Sequence, residues 1–203
     1  MNKPSPSRSL ALGLALATAA GGALAHPGHG SASALAGLAH PLGLDHLLAM
    51  VAVGLWSAAV LPASQRLRGP AAFVLAMLAG AALGTWTRAP ALVEPGIAAS
   101  VAVLGLLIAL PRLLPGTAGL ALVAVAGALH GLAHGAELPA ATGWGNGFAA
   151  YAFGFVATTV LLHAAGLGLG RQLLVLPQRL ARASQAALGG GLGLVGLVLV
   201  SRI

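Results

Sequence analysis

Six apolar runs separated by short polar connections organise this chain. The connections contain proline, glycine or arginine, and the runs cover residues 40–61, 70–87, 96–111, 117–138, 147–169 and 186–201. A helix needs about 20 consecutive apolar residues to cross the hydrocarbon core of a bilayer. The pattern therefore predicts an all-α membrane protein in which residues 40–203 form a bundle of six transmembrane helices.

The first 25 residues have the organisation of a cleavable signal peptide. Two basic residues near the start precede an apolar run at residues 10–20, and an Ala-Leu-Ala site follows at residues 23–25. This run is too short to span a membrane, and the small residues are typical of a cleavage site. An uncleaved anchor is the alternative. Cleavage would leave residues 26–39 as a periplasmic segment before the first helix.

His26 and His29 lie at the start of this periplasmic segment, close to the free amine that cleavage would create. Two imidazoles beside an amine can hold a metal ion outside the membrane, although Pro27 and Gly28 favour mobility. A disordered tail is the alternative interpretation of these residues.

Composition excludes a soluble domain. Hydrophobic residues make up 58% of the chain and charged residues only 6%, whereas a soluble globular domain has about a quarter of its residues charged. The formal net charge of +7 does not indicate nucleic-acid binding, because the ten basic residues are scattered and form no patch. The chain has no cysteine, so any bound metal must use nitrogen, oxygen or methionine sulfur.

The distribution of arginine supports a topology with both termini periplasmic. Signal cleavage places the N-terminus outside, and six crossings place the C-terminus there too. Lysine and arginine concentrate on the cytoplasmic side of membrane proteins. The connections predicted to be cytoplasmic contain six arginines and the outer side contains two. The six are Arg66, Arg68, Arg112, Arg171, Arg179 and Arg182, and the two are Arg88 and Arg202.

The first apolar run opens with a group of potential metal ligands. His40, Asp45 and His46 are followed one helical turn later by Met50. A charged side chain in a bilayer costs roughly 2.5–3.5 kcal/mol on insertion scales, so ionisable residues there are candidates for function. Imidazole and carboxylate suit first-row divalent metals. Met50 is a weaker candidate, since a lone methionine is more often a packing residue.

The fourth run carries a second group of ligands, His130, His134 and Glu137. At 100° per residue these three side chains fall within about 60° on one helical face. Hydrogen bonds between helices are the alternative explanation. Gly127, Gly131 and Gly135 on the same helix form two overlapping G-x-x-x-G steps, which favour close packing and a central position in the bundle.

Helix direction brings the two groups to the same membrane depth. The first helix enters from outside and the fourth ends outside, so both groups lie in the outer half. We therefore predict an outer metal site built from Asp45, His46, His130 and His134, with His40 and Glu137 at its entrance. The ion would then pass between the first and fourth helices, with Met50 as a later contact.

His163 stands alone in the fifth run, nearer the cytoplasmic half of the predicted bundle. It is either an inner way-station for the ion or a histidine hydrogen-bonded to a neighbour's carbonyl. For an isolated histidine the second interpretation is favoured.

The motifs together resemble the HupE/UreJ family of hydrogenase and urease accessory proteins. The resemblance rests on His-Pro-Gly-His after the signal peptide, H-P-x-G-x-D-H-x-x-A-M at residues 40–50, and H-G-x-x-H-G-x-E at residues 130–137. It implies a bacterial inner-membrane permease for nickel, or cobalt in some members, and not an enzyme. The ion would be cargo, no cofactor would be tightly bound, and handover to metallochaperones would follow. The family motifs fall on His40, Asp45, His46, His130, His134 and Glu137.

Two other classes of protein fit the ligand types. An intramembrane zinc hydrolase would hold a water-activating metal with three ligands and use a carboxylate as base. A haem-binding electron-transfer subunit would need axial histidines on facing helices. Neither explains the pairing of Asp45 with Glu137 as well as an ion path does.

Overall fold

The computed structural model describes residues 33–87, 91–137 and 146–203. The predicted signal peptide, His26 and His29 lie outside the described residues. The described residues contain seven α-helices, and none of these residues is in a strand. The helices are α1 (Ala34–Ala39), α2 (Leu44–Val60), α3 (Arg68–Gly84), α4 (Val93–Ala109), α5 (Gly116–Glu137), α6 (Asn146–Leu174) and α7 (Gln178–Val200). Single 3-10 turns at His40–Leu42 and Ala63–Gln65 precede α2 and α3.

The all-helical membrane architecture is confirmed. In the described part of the chain, four helical segments are long and apolar enough to cross a membrane, namely Ala63–Gly84, Gly116–Ala136, Ala149–Leu174 and Gln178–Val200. A fifth span results if the bent pair Ala34–Leu42 and Leu44–Val60 is counted as one. The remaining apolar helix, α4, is 17 residues long. Six crossings therefore stay a prediction, because the helix of the third apolar run, α4, is shorter than the other candidate spans.

The entry to the first span differs from the predicted straight helix. Residues His40–Leu42 form a 3-10 turn, Gly43 is the N-cap of α2, and the helical axes before and after it differ by 74°. Pro41 lies in this turn, although its fixed φ also suits the first position of an α-helix. His40 and His46 consequently belong to different helical segments.

Part of the predicted periplasmic segment is helical. The Ser33 hydroxyl caps α1 by accepting a hydrogen bond from the backbone N–H of Ala36 (3.1 Å). The helix packs against α6, where Gly37 and Gly154 allow the two backbones to touch. The Thr158 hydroxyl of α6 donates to the Leu38 carbonyl (2.9 Å). These contacts fix the position of the chain immediately before His40.

The connection between the fifth and sixth apolar runs, which end at residue 169 and resume at residue 186, is shorter in the structure. Helix α6 continues to Leu174 and α7 begins at Gln178, so Arg171, Arg179 and Arg182 lie on helices. Arginine, glutamine and leucine are good helix formers, and a prediction based on apolarity ends the helix too early. Pro177 at the N-cap of α7 marks the break.

Close backbone packing orders the bundle. Gly127, Gly131 and Gly135 of α5 face the carbonyls of Phe73, Met77 and Ala81 of α3, so both helices run in the same direction. The α2 and α6 helices are also parallel, because Gly166 meets Val51 and Gly170 meets Leu55. The α4 and α7 helices are antiparallel, because Gly189 meets Ala109 and Gly196 meets Ala102. The close packing expected of the glycine triple is confirmed.

Helix α2 contributes more of the main core than α5 does, and the central position of the fourth run stays a prediction. Ten of its residues are buried, including Met50 and Trp56. They form one cluster with Phe73 and Met77 of α3 and with Leu104 of α4. This placement sets the candidate ligands at the N-terminal end of α2 next to the main core.

Candidate metal centre

Three histidines converge where α2 begins and α5 ends. Ligand nitrogens of His40, His46 and His134 all lie within 4.8 Å of one another. On a straight helix His40 and His46 would point about 120° apart, because six residues at 100° each amount to 600°. The bend at Gly43 removes this separation. The structure thus brings His40 into the cluster, where the sequence predicted it at the entrance.

Asp45 orients His46. Its Oδ1 atom accepts hydrogen bonds from the backbone N–H of His46 (2.8 Å) and from the Nδ1–H of the same residue (2.9 Å). A carboxylate can only accept, so Nδ1 carries the proton, and in the neutral imidazole the Nε2 lone pair points into the cluster. Asp45 also lies in the first turn of α2, where the helix dipole favours a negative charge. This carboxylate–imidazole pair has the form that commonly supports a metal ligand.

His134 joins the other two imidazoles. Its Nε2 lies 2.9 Å from Nε2 of His46, and its Nδ1 lies 3.0 Å from Nε2 of His40. Since His46 Nε2 has no proton, His134 donates from Nε2 and His40 donates to His134 Nδ1. Two ligand nitrogens about 2.1 Å from one ion lie roughly 3.0–3.4 Å apart. A cation can therefore replace a proton in this network after small side-chain movements.

His130 lies one turn deeper on α5 and is fully buried. Its ring centroid is 4.6 Å from that of His46. Its Nδ1–H donates to the Ala126 carbonyl (2.9 Å), which leaves the lone pair on Nε2. This Nε2 atom is buried and has no hydrogen-bond partner among the residues that the structure describes. His130 thus lies one helical turn from the cluster of His40, His46 and His134.

The other candidate residues have different surroundings. Glu137 is the last residue of α5, and its side chain lies outside the described part, so its role stays a prediction. Met50 is fully buried in the core, one turn below His46. His163 is buried on α6, where its Nδ1–H donates to the Thr159 carbonyl of its own helix (2.8 Å). The expected bond to a carbonyl therefore forms within α6 and not to another helix.

Aromatic residues of α6 flank the cluster, which sequence reasoning missed. The Phe155 ring lies 5.0 Å from His134 and 5.9 Å from His40, and the Tyr151 ring lies 6.0 Å from His40. Their spacing of four residues places both rings on one helical face. Only that spacing could have indicated these two residues, because the sequence around them does not identify the helix against which this face packs.

Substitution of Asp45 tests whether the carboxylate supports metal binding. Asp45→Asn keeps an oxygen that accepts from His46 Nδ1–H but removes the negative charge. We expect nickel affinity to fall about 10–100-fold, as for other partners of metal-binding histidines. Asp45→Ala, which removes the acceptor as well, should lower it further. Calorimetric titration of the purified proteins with nickel measures both effects, and equal affinities for all three proteins would contradict this role.

The fold and the cluster define a multi-helix membrane protein with a candidate metal site among its apolar helices. The chain belongs to the HupE/UreJ family, since the family model described as HupE / UreJ protein matches residues 14–199. A curated relative named Protein HupE, from Rhizobium leguminosarum bv. viciae, is 40% identical over 183 residues. The match covers 87% of this chain and 88% of the relative. No solved structure matches the chain. The family resemblance seen in the motifs is thereby confirmed.

Proposed function

We propose that this protein is a permease that carries a divalent transition metal ion, nickel or alternatively cobalt, across the bacterial inner membrane. The ion is cargo and leaves the protein, so the site must bind it reversibly. Membership of a family named for hydrogenase and urease accessory proteins supports a role in supplying such metalloenzymes. Metallochaperones on the cytoplasmic side would receive the ion.

The proposal rests on the order in which the imidazoles follow one another along the helix axes. Three histidines and Asp45 lie together at the outer end of α2, and His130 presents a buried, unpartnered Nε2 one step deeper. A structural metal site needs all its ligands around one point. Ligands at successive depths instead allow an ion to move from one set to the next.

The donor types favour a borderline metal over the abundant hard cations. Magnesium and calcium prefer oxygen ligands, whereas imidazole suits nickel, zinc and copper. Affinity alone follows the Irving–Williams order, in which copper binds more tightly than nickel. Selection for nickel would then depend on the geometry of His40, His46 and His134, which the bend at Gly43 determines.

The helix directions support the proposed topology. The pairs α2 with α6 and α3 with α5 are parallel, whereas α4 and α7 are antiparallel. Six alternating crossings require these three relations, whichever side the N-terminus lies on. With the periplasmic N-terminus that we propose, the three-histidine cluster would lie near the periplasmic surface, where the ion would enter.

Uptake of radioactive nickel tests the proposal. Cells that lack their own nickel importer would express this chain, and nanomolar nickel would be supplied with excess magnesium. We expect accumulation above cells with an empty vector, competition by cobalt, and no competition by magnesium. Absence of uptake for nickel, cobalt, zinc and copper alike would refute the proposal and favour the intramembrane hydrolase.

A further inference from the structure

A second buried histidine repeats the local arrangement of His130. In both His130 and His163, Nδ1–H donates to the carbonyl four residues earlier on the same helix. The proton is therefore on Nδ1 and the lone pair is on Nε2. Both Nε2 atoms are buried without a hydrogen-bond partner among the described residues. A histidine needed only for packing would satisfy both nitrogens.

Phe73 connects these two histidines. The ring of Phe73, which is fully buried on α3, lies 5.4 Å from the His130 ring and 5.3 Å from the His163 ring. The ring contacts thus run from His46 to His130, then to Phe73 and to His163. The Phe73 ring therefore lies against both imidazoles, and an ion that passes directly from one to the other must displace it.

Thr159 offers an oxygen beside His163. Its hydroxyl is buried and has no hydrogen-bond partner in the part of the chain that the structure describes. A threonine on a helix commonly satisfies its hydroxyl by bonding to a carbonyl one turn earlier. Thr159 and His163 are four residues apart and therefore share one face of α6. A nitrogen and an oxygen thus lie on this face without partners.

We propose that His163 Nε2 and the Thr159 hydroxyl form an inner binding station for the same divalent metal ion, and that Phe73 is the gate between this station and His130. The inference rests on the proposed transport function and extends it to a second position on the path. His163 lies beside Gly54 of α2, eight residues or about 12 Å along the helix from His46. The ion leaves His130 Nε2, the Phe73 side chain turns aside, and His163 Nε2 replaces the lost ligand.

A pair of nearly isosteric variants tests this station. His163→Ser removes the ligand, whereas His163→Cys provides a thiol, which binds transition metals well. We expect the serine variant to lose about tenfold or more of the maximal nickel uptake rate, with KM changed less than about twofold, because the outer cluster sets the affinity. The cysteine variant should keep a substantially higher rate than the serine variant. Since the chain has no other cysteine, cadmium should inhibit only the cysteine variant.

The comparison separates three outcomes. Equal uptake by the two variants and the same response to cadmium would mean that His163 has a structural role only, and would overturn the inner station. Absence of uptake by the unsubstituted protein would refute the proposed function itself. If neither variant reaches the membrane, Phe73→Leu provides the test. It should speed the release of nickel from preloaded cells at least about threefold, because the smaller leucine side chain obstructs the path less, and unchanged release would overturn the gate.

Discussion

Replacing His46 with alanine is expected to reduce nickel uptake by about a hundredfold or more. Loss of a residue that only orients a metal ligand commonly lowers affinity 10–100-fold, and His46 is placed to be a ligand itself. Its ring contacts the other candidate ligands on three sides, through Asp45, His134 and His130. Initial uptake rates in cells that lack their own importer, at equal membrane levels of the two proteins, measure the effect.

Ser201→Ala provides the control for this substitution. Ser201 is exposed at the end of α7, where its hydroxyl donates to the Val198 carbonyl (2.8 Å). It should leave uptake unchanged. A His46→Ala protein that keeps more than about half of the parental rate would show that His46 is not on the ion path, because a lost ligand should cost at least tenfold.

Replacing Gly131 with alanine is expected to destabilise the protein by about 1–3 kcal/mol, the range observed for overpacking. A methyl group at this position would overlap the Met77 carbonyl and the backbone nitrogen of Ala81. Both are main-chain atoms, which cannot turn aside as a side chain can. Helices α3 and α5 would therefore have to separate, and the packing around His130 would be lost. The midpoint of thermal unfolding in detergent, without added metal, measures this loss.

Gly168→Ala is the matched control and should have the opposite sign. An added methyl group at Gly168 of α6 meets nothing within 4 Å. Alanine is favoured over glycine in a helix by up to about 1 kcal/mol, so this variant should be as stable as the parent or slightly more stable. If both alanine variants unfold at the same temperature, close backbone contact at Gly131 does not stabilise the bundle.

Long apolar helices are the part of this fold that sequence predicts well. The second and fourth runs were expected at residues 70–87 and 117–138, and the helices are Arg68–Gly84 and Gly116–Glu137. Apolar length determines these elements almost alone. The end of α6 was less predictable, because the arginine and glutamine that follow the apolar run are also good helix formers.

The candidate site was predictable in its residues but not in its arrangement. His46, Asp45, His130 and His134 could be identified from spacing and from the cost of polar groups in a bilayer. The sequence predicted His130 in the cluster and His40 at its entrance, whereas the structure places His40 in the cluster. His40 reaches this position because the helical axis bends by 74° at Gly43. Local sequence does not reveal this bend, because Pro41 suits both the first turn of an α-helix and a 3-10 turn.

The remaining features that the sequence does not predict are contacts between side chains of different helices. Nothing near Phe73 indicates that its ring contacts both His130 and His163. These three residues lie on three different helices, and the contacts depend on how closely α3 and α5 approach. Gly127 and Gly131 permit that approach, but glycine spacing alone does not name the partner helix.

Nickel influx into proteoliposomes tests the central claim most directly. The purified protein would be reconstituted with a nickel-sensitive dye inside the vesicles, and influx would be followed with and without an imposed pH gradient. We expect influx above that of empty liposomes for the parent and none for His46→Ala. A parent protein that binds nickel in detergent but gives no influx under either condition would contradict metal transport by this chain.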